Sequence, residues 1–321
     1  NHTNKQTMMS EATRAGDNDL CSRVEPTCAA PPPGRATRFT SRSADDDRPT
    51  HGDTRHPWLH AAEESSAAIV AAAVERRLTD LTVGGDWGAA GVTVLRDCVA
   101  SGLIDAGEAA SLQRQLIARF RSLFAAVDGR AALRTWVDAA VAWHRAARRE
   151  PDEDLAATVA DHVVAMAAFT AFHPNLRERV DDATARGGSE SATAAAPLVA
   201  ALDAALRMGP RHRGVVYADA ASVEDVGARQ PLQSTVRLRR FVPCSTRIDV
   251  AWHAATGAAP TSFAHASRVA RARPLSAVAA VHCASGCDVS PWSLMPHEAE
   301  VLLPRGAALT LVERMPAPLC R

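Results

Sequence analysis

The Gly209-Pro210 pair most constrains how this chain can fold, because it separates two textures of sequence. Glycine ends helices and proline cannot continue one, so the pair is a firm helix stop. Before it, apolar residues recur at helical spacing. After it, short runs with β character alternate with turn residues: 214–217, 235–238, 277–282, 298–303 and 309–312. Helices first and strands afterwards predict an α+β fold.

The helical half divides further. Residues 1–57 are rich in Ser, Thr, Asp, Arg and Pro, with Pro31-Pro32-Pro33-Gly34 and Asp45-Asp46-Asp47 inside, and show no apolar periodicity. A segment of that composition cannot bury enough apolar surface to order itself, so a disordered N-terminal tail is expected. A helical region follows over 58–150. Ala68, Val70, Val74 and Leu78 fit one helix face, and Leu112, Leu116, Phe120 and Phe124 another. A third carries Leu133, Trp136, Val137, Val141 and His144, and Gly84-Gly85-Asp86 breaks the first helix from the second. A further helical block covers 152–186, Gly187-Gly188-Ser189 forms a loop, and 195–208 is the helix that Gly209-Pro210 stops. The third domain expected is 151–321.

Composition removes several function classes. The 36 basic and 36 acidic residues cancel, so nothing points to nucleic acid or an anionic membrane surface as a partner. The longest apolar runs, 67–74 and 194–205, are shorter than the about 20 residues of a membrane span, so none is expected. The chain begins at Asn1 without a methionine, so the lack of a signal peptide carries no weight. Seven scattered cysteines do not suggest a disulfide framework; reduced thiols and a cytoplasmic location are favoured. Cys283 and Cys287, with His282 and His297, lack the tight paired spacing of a structural zinc site. A Ser262, His265 and Asp249 hydrolase is disfavoured because Ser262 has no glycine-flanked elbow.

The chemistry concentrates in Pro296-His297-Glu298-Ala299-Glu300-Val301-Leu302-Leu303-Pro304. Read as a strand, this segment sets Glu298 and Glu300 side by side on one face, roughly 6–7 Å apart, and turns Ala299, Val301 and Leu303 into a core. Two carboxylates so placed suit cleavage of a glycosidic bond, whose cationic transition state a fixed negative charge stabilises. Two solvated strand-edge glutamates are the plainer alternative.

Four landmarks in order decide between these. A helix ending Arg207-Met208-Gly209-Pro210 leads into Gly214-Val215-Val216-Tyr217; then come Phe241-Val242-Pro243-Cys244-Ser245-Thr246, Asp288-Val289-Ser290-Pro291-Trp292-Ser293, and the glutamate segment. This order resembles the arginine-specific mono-ADP-ribosyltransferases of the clostridial-toxin-like group, marked by Arg, Ser-Thr-Ser and Glu-x-Glu. The resemblance covers roughly 152–321, with 169–177 similar to that family's helical lead-in. It implies a helical N-terminal region followed by a split two-sheet mono-ADP-ribosyltransferase-like domain, with NAD as substrate in the cleft. It further implies transfer of ADP-ribose to the guanidinium of an arginine on a protein acceptor, with release of nicotinamide and no metal.

By that resemblance Glu300 is the catalytic glutamate at the nicotinamide ribose, and Glu298 engages the acceptor guanidinium. Ser245 braces the NAD site, while Tyr217 and Ser293 stand beside it, with Ser290 as a further hydroxyl. Two departures accompany it. Ala218-Asp219 follows Tyr217 where the family has an arginine for NAD phosphate, and Pro243 and Cys244 hold the first two hydroxyl positions. Arg211, Arg213, Arg237, Arg239, Arg240 and Arg247 are candidates to replace the missing guanidinium. The alternative is a pseudoenzyme of the same fold that binds a nucleotide or a protein; a purely structural α+β interaction module whose N-terminal helices bind another protein is the third reading.

Overall fold

Apolar stripes at intervals of three and four residues place the helices. The structure, a computed structural model, describes residues 57–84, 87–88, 92–147, 153–186, 190–223, 235–256 and 277–316. The expected disordered tail, 1–57, lies outside these except for Pro57, as do Ser262 and His265. Helix α1 (Pro57–Gly84) starts on a proline, which needs no N–H donor there, and buries Val70, Val74, Leu78 and Leu81 along one side. Helices α2 (Val94–Ala100), α3 (Ala106–Ala125) and α4 (Val127–Ala146) follow. A reciprocal cap fixes the start of α3: the Asp105 side chain accepts from the Glu108 N–H, and the Glu108 side chain accepts from the Asp105 N–H.

Helix α5 (Glu153–Phe169) is the centre of this layer. Every residue from His162 to Ala171 is buried, as expected of a helix with neighbours on all sides. Its Asp161 accepts from the Thr93 and Val94 N–H groups at 2.8 and 2.9 Å, satisfying donors that the N-terminus of α2 would otherwise leave open. Helices α6 (Leu176–Arg186) and α7 (Glu190–Met208) complete the set, and helices on both sides of residue 150 contribute to one apolar core.

Beyond Gly209 the strands are β1 (His212–Asp219), β2 (Thr235–Arg237), β3 (Val242–Ser245), β4 (Ala277–Asp288), β5 (Glu300–Leu303) and β6 (Ala308–Pro316); the short helix α8 (Ala220–Val223) follows β1 and helix α9 (Ile248–Thr256) follows β3. Helix followed by sheet makes the chain α+β. The six strands run in the order β1-β3-β5-β4-β6-β2, all antiparallel, with a further pairing of β1 to β4. The 12-residue β4 pairs with β1 and β6 and then, at Cys287 and Asp288, with β5. The two small sheets of the expectation are therefore continuous through β4.

Strands β1, β3, β5 and β4 close into a ring. Its interior holds Val216, Ala218, Val242, Cys244, Ala279, Val281, Cys283, Val301 and Leu303. Gly286 permits the closure: a Cβ there would lie 2.8 Å from Val301 Cγ1 and 2.7 Å from Cys283 Sγ. On the outer side, Leu302 joins Phe241, Cys287, Val289 and Trp292 in the helical core. The alternation of strand side chains thus fixes the outer side of the ring against the helices.

Three elements differ from expectation. Strand β4 extends six residues past 282 because β1 and β5 offer it partners along the way. Strand β3 carries Pro243 in its middle, a residue that cannot donate to a ladder and so hides a strand from its sequence. Strand β5 begins at Glu300, leaving Glu298 outside it.

Candidate functional site

Residues opposite each other in an antiparallel pair share a face. Tyr217 on β1 is paired with Ser245 on β3, and Ser245 with Glu300 on β5. These three form one cross-strand row on the outer side of the ring, since their neighbours Val216, Ala218, Cys244 and Val301 point inward. Tyr217 is half-buried and packs with Trp252 around Ala251, Ala255 and Val278; Ser245 and Glu300 are buried.

Glu298 reaches this row by a different route from the expected strand. Pro296–Glu298 is a single 3-10 turn with proline in its first positions, and Ala299 follows in the left-handed conformation at φ 48°, ψ 54°. A residue with a Cβ pays about 1–2 kcal/mol for that backbone, so the surroundings must enforce it. They do. The Ser245 hydroxyl donates to the Glu298 carbonyl at 2.6 Å, the Thr246 N–H to the Ala299 carbonyl at 3.1 Å, and Arg247 Nη1 to the His297 carbonyl at 3.0 Å. The end of β3 thus clamps the turn, and Glu298 lies 1% exposed within electrostatic range of Glu300, itself 2% exposed. The expected i, i+2 strand pair is corrected to a turn residue and a strand residue, because β3 ends opposite Glu300 and the Ser245 and Arg247 side chains hold the Glu298 and His297 carbonyls in a turn.

The loop between β4 and the turn supplies hydroxyls. Ser293 Oγ donates to Glu300 Oε2 at 3.3 Å and accepts from the Met295 N–H at 3.0 Å. Ser290 Oγ donates to Asp288 Oδ1 at 2.6 Å and approaches the Glu300 carbonyl at 3.2 Å, so it meets the main chain of Glu300 and not its carboxylate. The helices hold this loop. Arg119 on α3 donates to the Pro291 carbonyl at 2.7 Å, Thr170 Oγ accepts from the Leu294 N–H at 3.0 Å, and Trp292 packs edge-on against Trp136, their ring centroids 6.2 Å apart.

Electrostatics follow from burial. Loss of water pushes the Glu300 carboxyl up to about 7, the neighbouring Glu298 charge adds to this, and Arg177 and the Ser293 hydroxyl oppose it. Arg177 on α6 is itself buried, and burial lowers its guanidinium below the usual value against the pull of Asp181 and Glu300.

Of the six candidate arginines, Arg247 alone is seen at the site, through the His297 carbonyl of the turn, and no hydrogen bond joins it to Glu300 among the described contacts. Arg211 donates to the Leu206, Arg207 and Ser285 carbonyls; Arg213, Arg237 and Arg239 are exposed; Arg247 pairs with Asp249. Arg240 pairs with Asp181 at 3.5 Å and donates to the Ser222 carbonyl. Ala218 points into the ring, so position 218 is on the wrong side for a contact near Glu300. Sequence reasoning gave Arg177 no role of its own, though its charge opposes the rise at Glu300. The available signal was an arginine one residue after Leu176 and four before Asp181, on a helix that also buries Leu176, Val180 and Ala183.

The exposed His282 and buried Cys283 point to opposite sides of β4, which separates the ligands of the disfavoured zinc reading. Among the described residues no group of three or more His, Cys, Asp or Glu is arranged to hold a metal ion, and no helix is long and apolar enough to cross a membrane. Two surface grooves, of about 440 and 380 Å³, lie along α6 and α7 and are not lined by Glu298 or Glu300.

No protein-family model matches the chain, and no curated protein matches it. Among solved structures it is similar to the type III effector XopAI from Xanthomonas axonopodis pv. citri, an N-terminally truncated form, at 16% identity and a TM-score of 0.33. That match covers 48% of this chain and 59% of the other, so it spans less than two thirds of that protein's length. A likeness at that TM-score assigns neither fold nor function.

Proposed function

We propose that the chain is an NAD-dependent protein-arginine mono-ADP-ribosyltransferase. The observation that carries this reading is the row Tyr217–Ser245–Glu300 on one face of the ring, with Glu298 folded against Glu300 and Ser293 on its carboxylate. Two carboxylates and a hydroxyl fit a nicotinamide ribose, where hydroxyls need acceptors and the reacting carbon gains positive charge.

NAD supplies the scissile bond between the ribose carbon and the nicotinamide nitrogen, and nicotinamide departs with that electron pair. Glu300, when ionised, accepts from a ribose hydroxyl and stabilises the cation by charge. Glu298 orients the acceptor arginine and takes the proton its nitrogen loses on forming the new bond. A guanidinium with a pKa above about 12 needs such a carboxylate to act as a nucleophile. Ser245 holds the carbonyl of Glu298, and Ser293 aims the Glu300 carboxylate.

A second reading has its own observation. Both carboxylates are buried, and position 218 presents no guanidinium, which favours a pseudoenzyme that binds a nucleotide or protein without turnover. Labelled NAD incubated with the protein and agmatine separates the two. Nicotinamide release abolished by Glu300→Gln supports the transferase. NAD binding by calorimetry without release, even at high protein concentration, supports a nucleotide-binding pseudoenzyme, and neither binding nor release removes the transferase and leaves only the protein-binding form.

A further inference from the structure

We propose that Thr170 and Arg119, from two different helices, are positioning residues of this site: they grip the β4–β5 loop on either side of Ser293 and so aim its hydroxyl at the Glu300 carboxylate. What an aimed carboxylate is for rests on the transferase reading; the grip does not.

Helix α5 ends at Phe169, and the buried Thr170 follows directly. A helix end leaves carbonyls without donors. The Thr170 hydroxyl donates its proton to one of them, that of Ala167, at 2.8 Å. With the proton committed there, the hydroxyl oxygen keeps lone pairs for the Leu294 N–H, which it accepts at 3.0 Å. The chain is buried without a break from His162 to Ala171, so this anchor is a fixed point.

Arg119 works from α3. Its Nη2 donates to the Pro291 carbonyl at 2.7 Å and approaches the Ser290 carbonyl at 3.4 Å. One turn before it, the Gln115 side chain donates to the His173 carbonyl at 2.7 Å, so α3 also holds the segment that follows Thr170. Trp292, between the two grips, is buried against Trp136.

Ser293 lies between the same two grips. Its Oγ stands 3.3 Å from Glu300 Oε2, already beyond the roughly 2.5–3.0 Å of a firm O–H···O bond. A small displacement of the loop therefore decides whether that bond is made. The bond from the Met295 N–H to Ser293 Oγ, at 3.0 Å, moves with the loop and cannot supply the aim. The aim comes from the helices.

The test is a double-mutant cycle on the full chain with two NMR readings. One is hydrogen exchange of the Leu294 amide; the other is the titration midpoint of the Glu300 carboxyl carbon, assigned by its loss in Glu300→Gln. Thr170→Val keeps the shape and removes the hydroxyl, so Leu294 exchange should quicken by about tenfold. A hydrogen bond to the ionised carboxylate favours that form, so the Glu300 midpoint should rise by about half a pH unit. Thr170→Ser should return both readings toward wild type. In a Ser293→Ala background, Thr170→Val should still quicken the exchange but move the midpoint no further. Glu298 and Arg177, the charges that also act on Glu300, are present in every variant and cancel in the cycle.

An unchanged exchange rate or midpoint in Thr170→Val overturns the proposal. So does an equal midpoint shift in both backgrounds, since Thr170 would then act without Ser293. Should Thr170→Val not fold, Arg119→Met decides by the same cycle: a rise that disappears with Ser293→Ala supports the proposal, and no rise or an equal rise overturns it. Nicotinamide release is measured alongside, and Thr170→Val should reduce kcat more than it alters the KM for NAD. Absence of release from the wild-type protein would defeat the transferase reading while leaving the NMR result for Thr170 intact.

Discussion

Ser245 on β3 donates its hydroxyl to the main-chain carbonyl of Glu298 at 2.6 Å, tying a strand to a turn 53 residues away. The same oxygen accepts from the Arg247 N–H at 2.9 Å, so one buried side chain satisfies two main-chain groups. This bond lets Glu298 leave the strand path and still lie beside Glu300.

Ser245→Ala leaves both main-chain groups without their partner in a buried place. The cost of unmade buried hydrogen bonds is about 1–3 kcal/mol each. Urea unfolding should therefore show a lower midpoint with an unchanged slope. Under the transferase reading, nicotinamide release should fall by more than the loss of folded protein accounts for.

Glu300 gives the folded protein an inverted pH dependence. Its folded value of about 7 lies above the ordinary 4.5, so the folded chain binds more protons between those values. Stability then falls as pH rises from about 4.5 through 7. At ~1.4 kcal/mol per pH unit the whole effect is roughly 3 kcal/mol. Glu300→Gln removes this group's contribution, so its unfolding free energy measured against wild type should show a gain that grows from pH 5 to pH 8. Any nicotinamide release should rise over the same interval, because the ionised form is the one that stabilises positive charge.

Ala299 adopts its left-handed backbone with a Cβ in place. Ala299→Gly relieves about 1–2 kcal/mol of strain and gives back about 0.5–1 through the freer unfolded chain. A small rise in thermal midpoint is expected. Ala299→Val, branched at Cβ, should lower it clearly.

Gly209 presses on Trp136: a Cβ built there would lie 2.3 Å from the indole. Trp136 is buried and packs edge-on against Trp292, which belongs to the loop that carries Ser293. Gly209→Ala should cost about 1–3 kcal/mol, the range for overpacking a core. A change in near-ultraviolet circular dichroism from the displaced tryptophan pair should accompany it.

Much of the architecture is legible in particular residues. Leu112, Leu116, Phe120 and Phe124 are buried in α3 as their spacing requires, and Gly209 follows directly on Met208, the end of α7. The short runs at 214–217 and 309–312 lie within β1 and β6, and the run at 235–238 covers β2 and overshoots it by Leu238. Other features left no local mark. Pro243 masks β3, and the 3-10 turn before β5 depends on a clamp from Ser245 and Arg247, both distant in sequence.

The sequence by itself determined where helix gives way to strand and that two glutamates stand together near the C-terminal end, because periodicity and adjacency are local properties. Only the tertiary structure decided what surrounds those glutamates. Burial and the row with Tyr217 and Ser245 arise from ring closure and from the helical core packed on its outer side. Electrostatic fields act through space between residues more than a hundred positions apart, and no pattern along the chain records that distance.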